Sequence, residues 1–260
     1  MPTYRSVAVI LKRQDFKEYD RLLTVYTEKM GKIEVVARGT KKIQSKLAGH
    51  LEPFCLTDLM VARGRYRDRV AGSVILEDFN QLKSSFEGIV LAGYFNEVVD
   101  LLTRSHQVDQ NTFSLIKKAY RTIDRYFEKN DKKEDFRNQF LIVLSFILRL
   151  LSLQGFQPSF KSCFYCKKDV KEEKNFLSFS HLSVVCPACQ KRENNLESIS
   201  PTALKILRIM IQKNFPNLKL TNLADTTFWE IQDIVNKLLM AVGEKEIKSV
   251  TLLRGLMRLK

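Results

Sequence analysis

Glycine, proline and histidine are scarce in this chain: ten, six and three among 260 residues. So little Gly and Pro excludes collagen-like and low-complexity classes, and 45% apolar residues mark a globular composition. The length suits two domains plus a small module. Missing too are G-x-x-x-x-G-K-[ST], G-x-G-x-x-G and G-x-S-x-G, the loops that cradle phosphates, bind dinucleotides or seat a serine nucleophile. Neither His106 nor His181 has a catalytic motif around it. Long apolar runs are lacking as well. Phe140 to Leu153 is about fourteen residues, holds Arg149, and falls short of the roughly 30 Å of a bilayer core, so it reads as a buried helix. The start has a short apolar run, Val7 to Leu11, followed at once by charge, and no secretory signal is expected. A cytoplasmic protein with no membrane partner is the expectation.

Acidic residues are also in deficit. Forty-three Lys and Arg face twenty-nine Asp and Glu, a net charge of +14 spread along the chain. A soluble protein this basic most often meets a polyanion, and nucleic acid is the commonest one. An anionic membrane surface or an acidic protein is the lesser option.

Residues 1–81 read as β. "SVAVILKR", "RLLTVYT", "KIEVVARG", "FCLTDLMVARG" and "RVAGSVILEDF" are short strands separated by turn signals such as "QDFKEYD" and "EKMG". Five such strands suit a small closed barrel, with "TKKIQSKLAGHLEP" as a loop holding a turn of helix. From Ser84 the period changes to about 3.6. One stripe holds Phe86, Ile89, Val90, Phe95, Val98, Leu101 and Leu102; the next helix holds Leu115, Ile116, Ala119, Tyr120, Ile123 and Phe127. "EDFRNQFLIVLSFILRLLSLQGF" is apolar nearly all round, as in the central helix of a bundle. Beyond residue 195, "SISPTALKILRIMIQ" starts a helix with Ser200 as N-cap and Pro201 at its first position, and two more helices follow. The expected division is a barrel at 1–81, helices at 82–158, a cysteine module at 159–195 and C-terminal helices at 196–260 packing on the helical domain.

Four of the five cysteines form two tight pairs, Cys163/Cys166 and Cys186/Cys189, with nineteen residues between them. A two-residue gap lets both sulfurs of a pair face one ion, and the insert lets the second turn fold back over the first. Intracellular thiols stay reduced, so metal is favoured over disulfides, and a redox pair would need a βαβ pattern that is absent. Four thiolates fill the tetrahedral shell of Zn2+ and leave no position for water, so one structural zinc per chain is expected. His50–Glu52 matches the H-x-E of zinc deaminases, but those need P-C-x-x-C, and here the order is C-P-A-C with four thiols present. Cys55, between Phe54 and Leu56, reads as a packed thiol.

Two barrel loops are strongly basic. "ARGTKKIQSK" carries Arg38, Lys41, Lys42 and Lys46; "RGRYRDR" carries Arg63, Arg65, Arg67 and Arg69 around Tyr66. A small barrel with cations and aromatics on its loops is a usual design for single strands, though solvated hairpin loops look similar. Further on, Lys117, Lys118, Arg121 and Arg125 share a polar flank beside Leu115, Tyr120 and Ile123. An ordinary amphipathic helix is the plainer reading; a rim for an acidic-aromatic peptide is the other.

At this point the chain resembles a known family. "EYDRLLT" from Glu18, the strand "GKIEVVARG", "SKLAGHLEPF", and "LQGFQPSFKSCFYC" followed by "VVCPAC" are similar to motifs of the bacterial RecO DNA repair family. The resemblance spans the whole length and is most specific at 5–64 and 155–189. It implies an α+β multidomain fold: an N-terminal OB barrel, a helical bundle and an inserted four-cysteine zinc module. The implied work is non-enzymatic recombinational repair in the cytoplasm, at the nucleoid. It covers binding single- and double-stranded DNA, annealing, and acting with RecR, sometimes RecF, to load RecA onto strands coated by single-stranded DNA-binding protein. Contact with that coating protein's acidic C-terminal tail is a further family property that would suit the Lys117–Arg125 flank. One departure is "HLSVVC", where members often carry a Gly pair before the third cysteine. A zinc-dependent nucleic-acid enzyme and a scaffold that binds only proteins stand as the rival readings.

Overall fold

The computed structural model describes residues 2–129, 133–212 and 223–258. The chain forms two compact units, Met1–Asp131 with Ser249–Lys260, and Lys132–Lys248.

The first unit opens with a closed barrel of order β1-β2-β3-β5-β4. β1 (Thr3–Asp15) is 13 residues long, and β2 (Arg21–Thr27), β3 (Gly31–Ala37), β4 (Leu56–Ala62) and β5 (Arg69–Glu77) follow. β1 pairs with β4 from Thr3 to Val9 and with β2 from Ala8 to Asp15, with a register shift between Ile10 and Lys12. Such a bulge bends one strand across two neighbours, and that bend closes the sheet. β3 meets β5 in parallel at Val36 opposite Arg69. Alternate residues point inward: Ala8 and Ile10, Leu23 and Val25, Ile33, Val35 and Ala37, Leu59 and Val61 form the barrel core. The turn of helix expected between β3 and β4 is present at Gly49–Leu51, and Leu51 is buried in that core.

The outward residues Val9, Leu11, Tyr26 and Leu56 are buried as well, which explains why "SVAVIL" is apolar without alternation. The covering begins with α2 (Phe86–Leu102), after the single turn α1 (Asn80–Lys83). Asn96 on α2 donates to the Leu11 carbonyl at 2.9 Å, and Lys32 pairs with Asp100 at 2.9 Å. α3 (Gln110–Lys129) adds Phe113, Ile116, Ala119, Tyr120 and Ile123 to the same core. The Tyr120 ring stacks on Phe79 with centroids 5.2 Å apart.

The expected stripe on α2 is partly wrong. Phe86 and Ile89 are 58% and 41% exposed, while Leu91, Tyr94 and Val99 are buried in their place. At 3.6 residues per turn, positions 86, 89 and 93 share the side opposite Phe95 and Leu102. Apolar character alone did not say which side faces the barrel. On α3, Leu115 and Phe127 are half-buried, and the unforeseen Phe113 is 1% exposed.

Gly31 shows why the "EKMG" turn ends as it does. Its φ is +64°, and a Cβ there would lie 2.0 Å from the Gln107 carbonyl oxygen. Gly31→Ala is expected to destabilise the first unit by at least about 2 kcal/mol, from left-handed strain plus a backbone clash. Urea unfolding followed by circular dichroism measures it, and an unchanged midpoint would remove the clash from this account.

In the second unit, α4 (Lys133–Leu153) is the core helix. Its Phe136–Leu153 stretch is apolar and long enough to cross a membrane, but 72% of it is buried within the protein, as a core helix should be. α5 (Pro201–Ile211) and α6 (Asp225–Gly243) pack on it, with Phe140 and Phe228 rings 5.8 Å apart. The Ser200 side chain accepts from the Ala203 N–H, as a cap before Pro201 should. Sequence reasoning gave the cysteine segment no strands, yet β6 (Asn175–Ser178), β7 (Ser183–Val185) and β8 (Leu196–Ile199) form a sheet of order β7-β6-β8. The last helix, α7 (Ser249–Arg258), belongs to the first unit. It packs on α2, where Ser249 donates its N–H and its hydroxyl to Glu97 at 3.0 and 2.6 Å.

Candidate metal centre and nucleic-acid face

All five cysteines are free thiols, and the sulfurs of Cys163, Cys166, Cys186 and Cys189 lie within 4.8 Å of one another. The local fold makes this happen. The loop after Cys163 turns tightly: the Lys167 N–H donates to the Cys163 carbonyl at 3.0 Å, the Cys163 N–H donates to the Lys168 carbonyl at 2.9 Å, and Lys167 takes φ 59°. The β6–β7 hairpin then brings the second pair back. Phe164 donates to the Val184 carbonyl and Val184 to the Ser159 carbonyl, both at 2.9 Å. Leu182 takes φ 48° at the hairpin, so a left-handed turn is made here without the glycine such turns favour.

The chemistry of the cluster suits a cation. Cys166 and Cys186 sulfurs are 3.8 Å apart, the edge expected of a tetrahedron with metal–sulfur bonds of about 2.3 Å. Burial pushes the Cys163 thiol up, but backbone amides of Cys166, Cys186 and Tyr165 outweigh it and hold it down at about 6. Burial and the neighbouring thiols push Cys189 up. One sulfur is thus prepared as a thiolate, while burial pushes Cys186 and Cys189 up, so that those two would need a cation to ionise. The four expected ligands converge.

On the barrel, three loops meet at one end. The Lys41 N–H donates to the Tyr19 carbonyl at 3.1 Å, and the Gly39 N–H donates to Asp20 at 2.9 Å, joining the β3–β4 loop to the β1–β2 loop. The Arg67 guanidinium lies 5.2 Å over the Phe16 ring, which brings in the β4–β5 loop. Arg38, Lys41, Lys42, Lys46, Arg63, Arg65 and Arg67 are exposed, while Arg69, first residue of β5, is half-buried. Lys42 lies 5.2 Å over Tyr19, Arg65 5.6 Å over Tyr66, and Arg63 5.8 Å over Tyr4. Lys41 pairs with Asp15 at 2.9 Å, and its hydrogen bond holds that carboxyl below its usual range. Arg67 reaches Glu34 at 3.8 Å. Apolar tips stand among these cations: Ile43 is fully exposed and Tyr66 is 88% exposed, with Phe16 and Tyr19 beside them. Sequence reasoning missed Phe16 and Tyr19, because "QDFKEYD" reads only as a charged turn until the loops are folded together.

The α3 flank is less open than its sequence suggests. Arg121 grips Glu77 with two nitrogens, one at 2.8 Å, and this lowers the Glu77 carboxyl. Lys117 lies 5.5 Å over its own helix's Phe113, and Lys118 and Arg125 are exposed. The groove there also carries the carboxylates of Glu77, Asp78, Asp124 and Glu128. Cys55 is buried beside Asp78 at 3.1 Å, and burial with that hydrogen bond raises its thiol to about 11, as a packed cysteine should be. Of the H-x-E pair, Glu52 is held in ion pairs by Arg13 and Arg21.

Fold and site together define an OB-barrel protein with a cationic, aromatic loop face and a tetracysteine cluster in a helical second unit. Known proteins agree. The family model "Recombination protein O N terminal" matches residues 1–79, and "Recombination protein O C terminal" matches 83–250. Proteins named DNA repair protein RecO are similar over nearly the whole chain. That of Desulforamulus reducens is 25% identical over 96% of this chain and 93% of its own. That of Clostridium perfringens is 28% identical over 98% of both, and that of Roseiflexus sp. 29% over 96% and 84%. The chain belongs to the RecO family of DNA repair proteins.

Proposed function

We propose that this family member is a non-enzymatic mediator of recombinational repair in the cytoplasm. It binds single- and double-stranded DNA and anneals complementary strands. With RecR, and with RecF in some settings, it helps load RecA onto strands coated by single-stranded DNA-binding protein. The observation that carries this reading is the barrel end, where Lys42, Arg63, Arg65 and Arg67 lie over rings beside the exposed Ile43 and Tyr66. Cations on three joined loops neutralise phosphates, and exposed rings offer faces on which bases stack. With part of its charge neutralised, one strand can approach its complement. Arg38, Lys41, Lys42, Lys46, Arg63 and Arg65 are the proposed phosphate contacts, with Arg67 and Arg69 at the base of the same loop. The acidic tail of the coating protein would meet Lys117, Lys118 and Arg125 more readily than Arg121, which Glu77 already holds.

The cysteine cluster would hold one Zn2+ through Cys163, Cys166, Cys186 and Cys189. Bound there, the ion supplies cross-linking rather than chemistry, since four sulfurs fill its shell. The test is annealing of complementary oligonucleotides at two salt concentrations, with and without the coating protein. Acceleration that weakens at high salt is expected. A chain that neither binds nor anneals strands in dilute buffer would overturn the reading.

A further inference from the structure

The cysteine module carries an aromatic, cationic surface built from its own residues. His181, at the β6–β7 hairpin, is exposed and lies parallel to Phe164, centroids 3.8 Å apart and planes at 10°. Lys167 sits 4.6 Å over the Phe164 ring. Tyr165 stands edge-on, 5.1 Å from Phe164 and 6.1 Å from His181, with Arg192 5.7 Å over its ring. Glu193 is occupied within the module: it accepts from Tyr165 at 3.2 Å and from Ser178 and Ser180 at 2.7 and 2.9 Å. Lys161, Lys168, Lys171, Lys174 and Lys191 are exposed on the same module, against the exposed Asp169, Glu172 and Glu173.

We propose that this face is a second contact for single-stranded DNA, with a base stacking on the outward side of His181 and phosphates meeting Lys167 and Arg192. Phe164 backs one side of the imidazole, so the solvent side is the plane left for a base. Histidine is among the side chains on which unstacked bases lie. The ring is held in advance of binding: Phe164 and Tyr165 lie between two of the clustered cysteines, and the Leu182 turn fixes the far side. Little ordering is then lost when a base arrives. The loops that gather the sulfurs thus also present the stack. This inference rests on the proposed function only in taking DNA as the ligand; its contact lies in the other unit.

The experiment uses the full chain, a labelled oligothymidylate and the variants His181→Ala, His181→Phe and Lys42→Ala/Arg65→Ala. His181→Ala should weaken binding about fivefold or more, the loss typical of one stacked base, and His181→Phe should restore most of it. Combined with the barrel pair, the losses should multiply, as for independent sites. If His181→Ala keeps its metal and binds as the parent does while the barrel pair is weakened, the second contact is wrong and the barrel reading stands. If the parent itself ignores the oligonucleotide, both fall. Should His181→Ala lose metal, photocrosslinking of the unaltered chain to 5-iodouracil DNA decides. Crosslinks within 161–193 support the contact, and crosslinks confined to 1–79 overturn it.

Discussion

Replacing Cys163 with serine is expected to abolish stoichiometric zinc binding and to leave the segment from Ser159 to Ile199 open to proteases. Zinc held by such sites contributes roughly 10–16 kcal/mol at neutral pH, comparable to the whole stability of a domain, about 5–15 kcal/mol. Among the described residues, the segment's buried apolar side chains outside the cysteines are Phe160, Val170, Leu177, Val184, Val185 and Ile199. Burying a side chain of this kind contributes about 1.5–3 kcal/mol, while fixing each backbone residue costs about 1–2 kcal/mol. That handful cannot order about forty residues. Part of the remaining support is Arg208 on α5, whose guanidinium donates to the Phe160 and Val170 carbonyls, both at 2.8 Å. Without the ion these bonds have little to anchor. Metal content and mapped proteolytic cuts read the outcome together. A Cys163→Ser protein that stays resistant throughout 159–199 would show that the ion is not the staple. A folded variant that had lost a turnover instead would favour the rival zinc enzyme.

The second large effect concerns salt. A barrel that neutralises about six phosphates should bind single strands with log K falling against log salt at a slope near −4, about 0.7 per contact. Lys42→Ala/Arg65→Ala should flatten that slope by about 1.4 and weaken all sequences alike, because phosphate contacts carry no base information. These two are chosen because they lie over Tyr19 and Tyr66, whereas Lys41 is partly spent on Asp15. Tyr66→Ala should behave differently. With its ring 88% exposed, its loss should reduce affinity about fivefold or more while leaving the slope unchanged, since stacking releases no counterions. Fluorescence anisotropy across a salt series separates the two. A slope indifferent to the loss of Lys42 and Arg65 would move the binding face elsewhere.

Legibility in the sequence followed the range of the signal. The five strands, the Ser200 cap and the cysteine spacing are local patterns, written within a few residues of each other, and each appears in the fold where the pattern stands. β6, β7 and β8 escaped notice because they are three or four residues long, too short to show an alternating period before pairing such as Phe176 with Val185 and with Ser198 defines them. The stripe on α2 failed for a related reason: Phe86 and Ile89 are apolar, but what they face depends on where the barrel lies.

The amino-acid order by itself determined the barrel class, the tetrathiol set and the excess of positive charge, since alternation, spacing and composition need no partner to be read. Tertiary structure alone decided which cations stay available and which rings join them. Arg121 is held by Glu77, Lys41 by Asp15, and Arg67 is laid over Phe16, pairings between residues distant in sequence that exist only once the chain has closed on itself. Charge can be counted along a chain, but its neutralisation is a matter of distance in space.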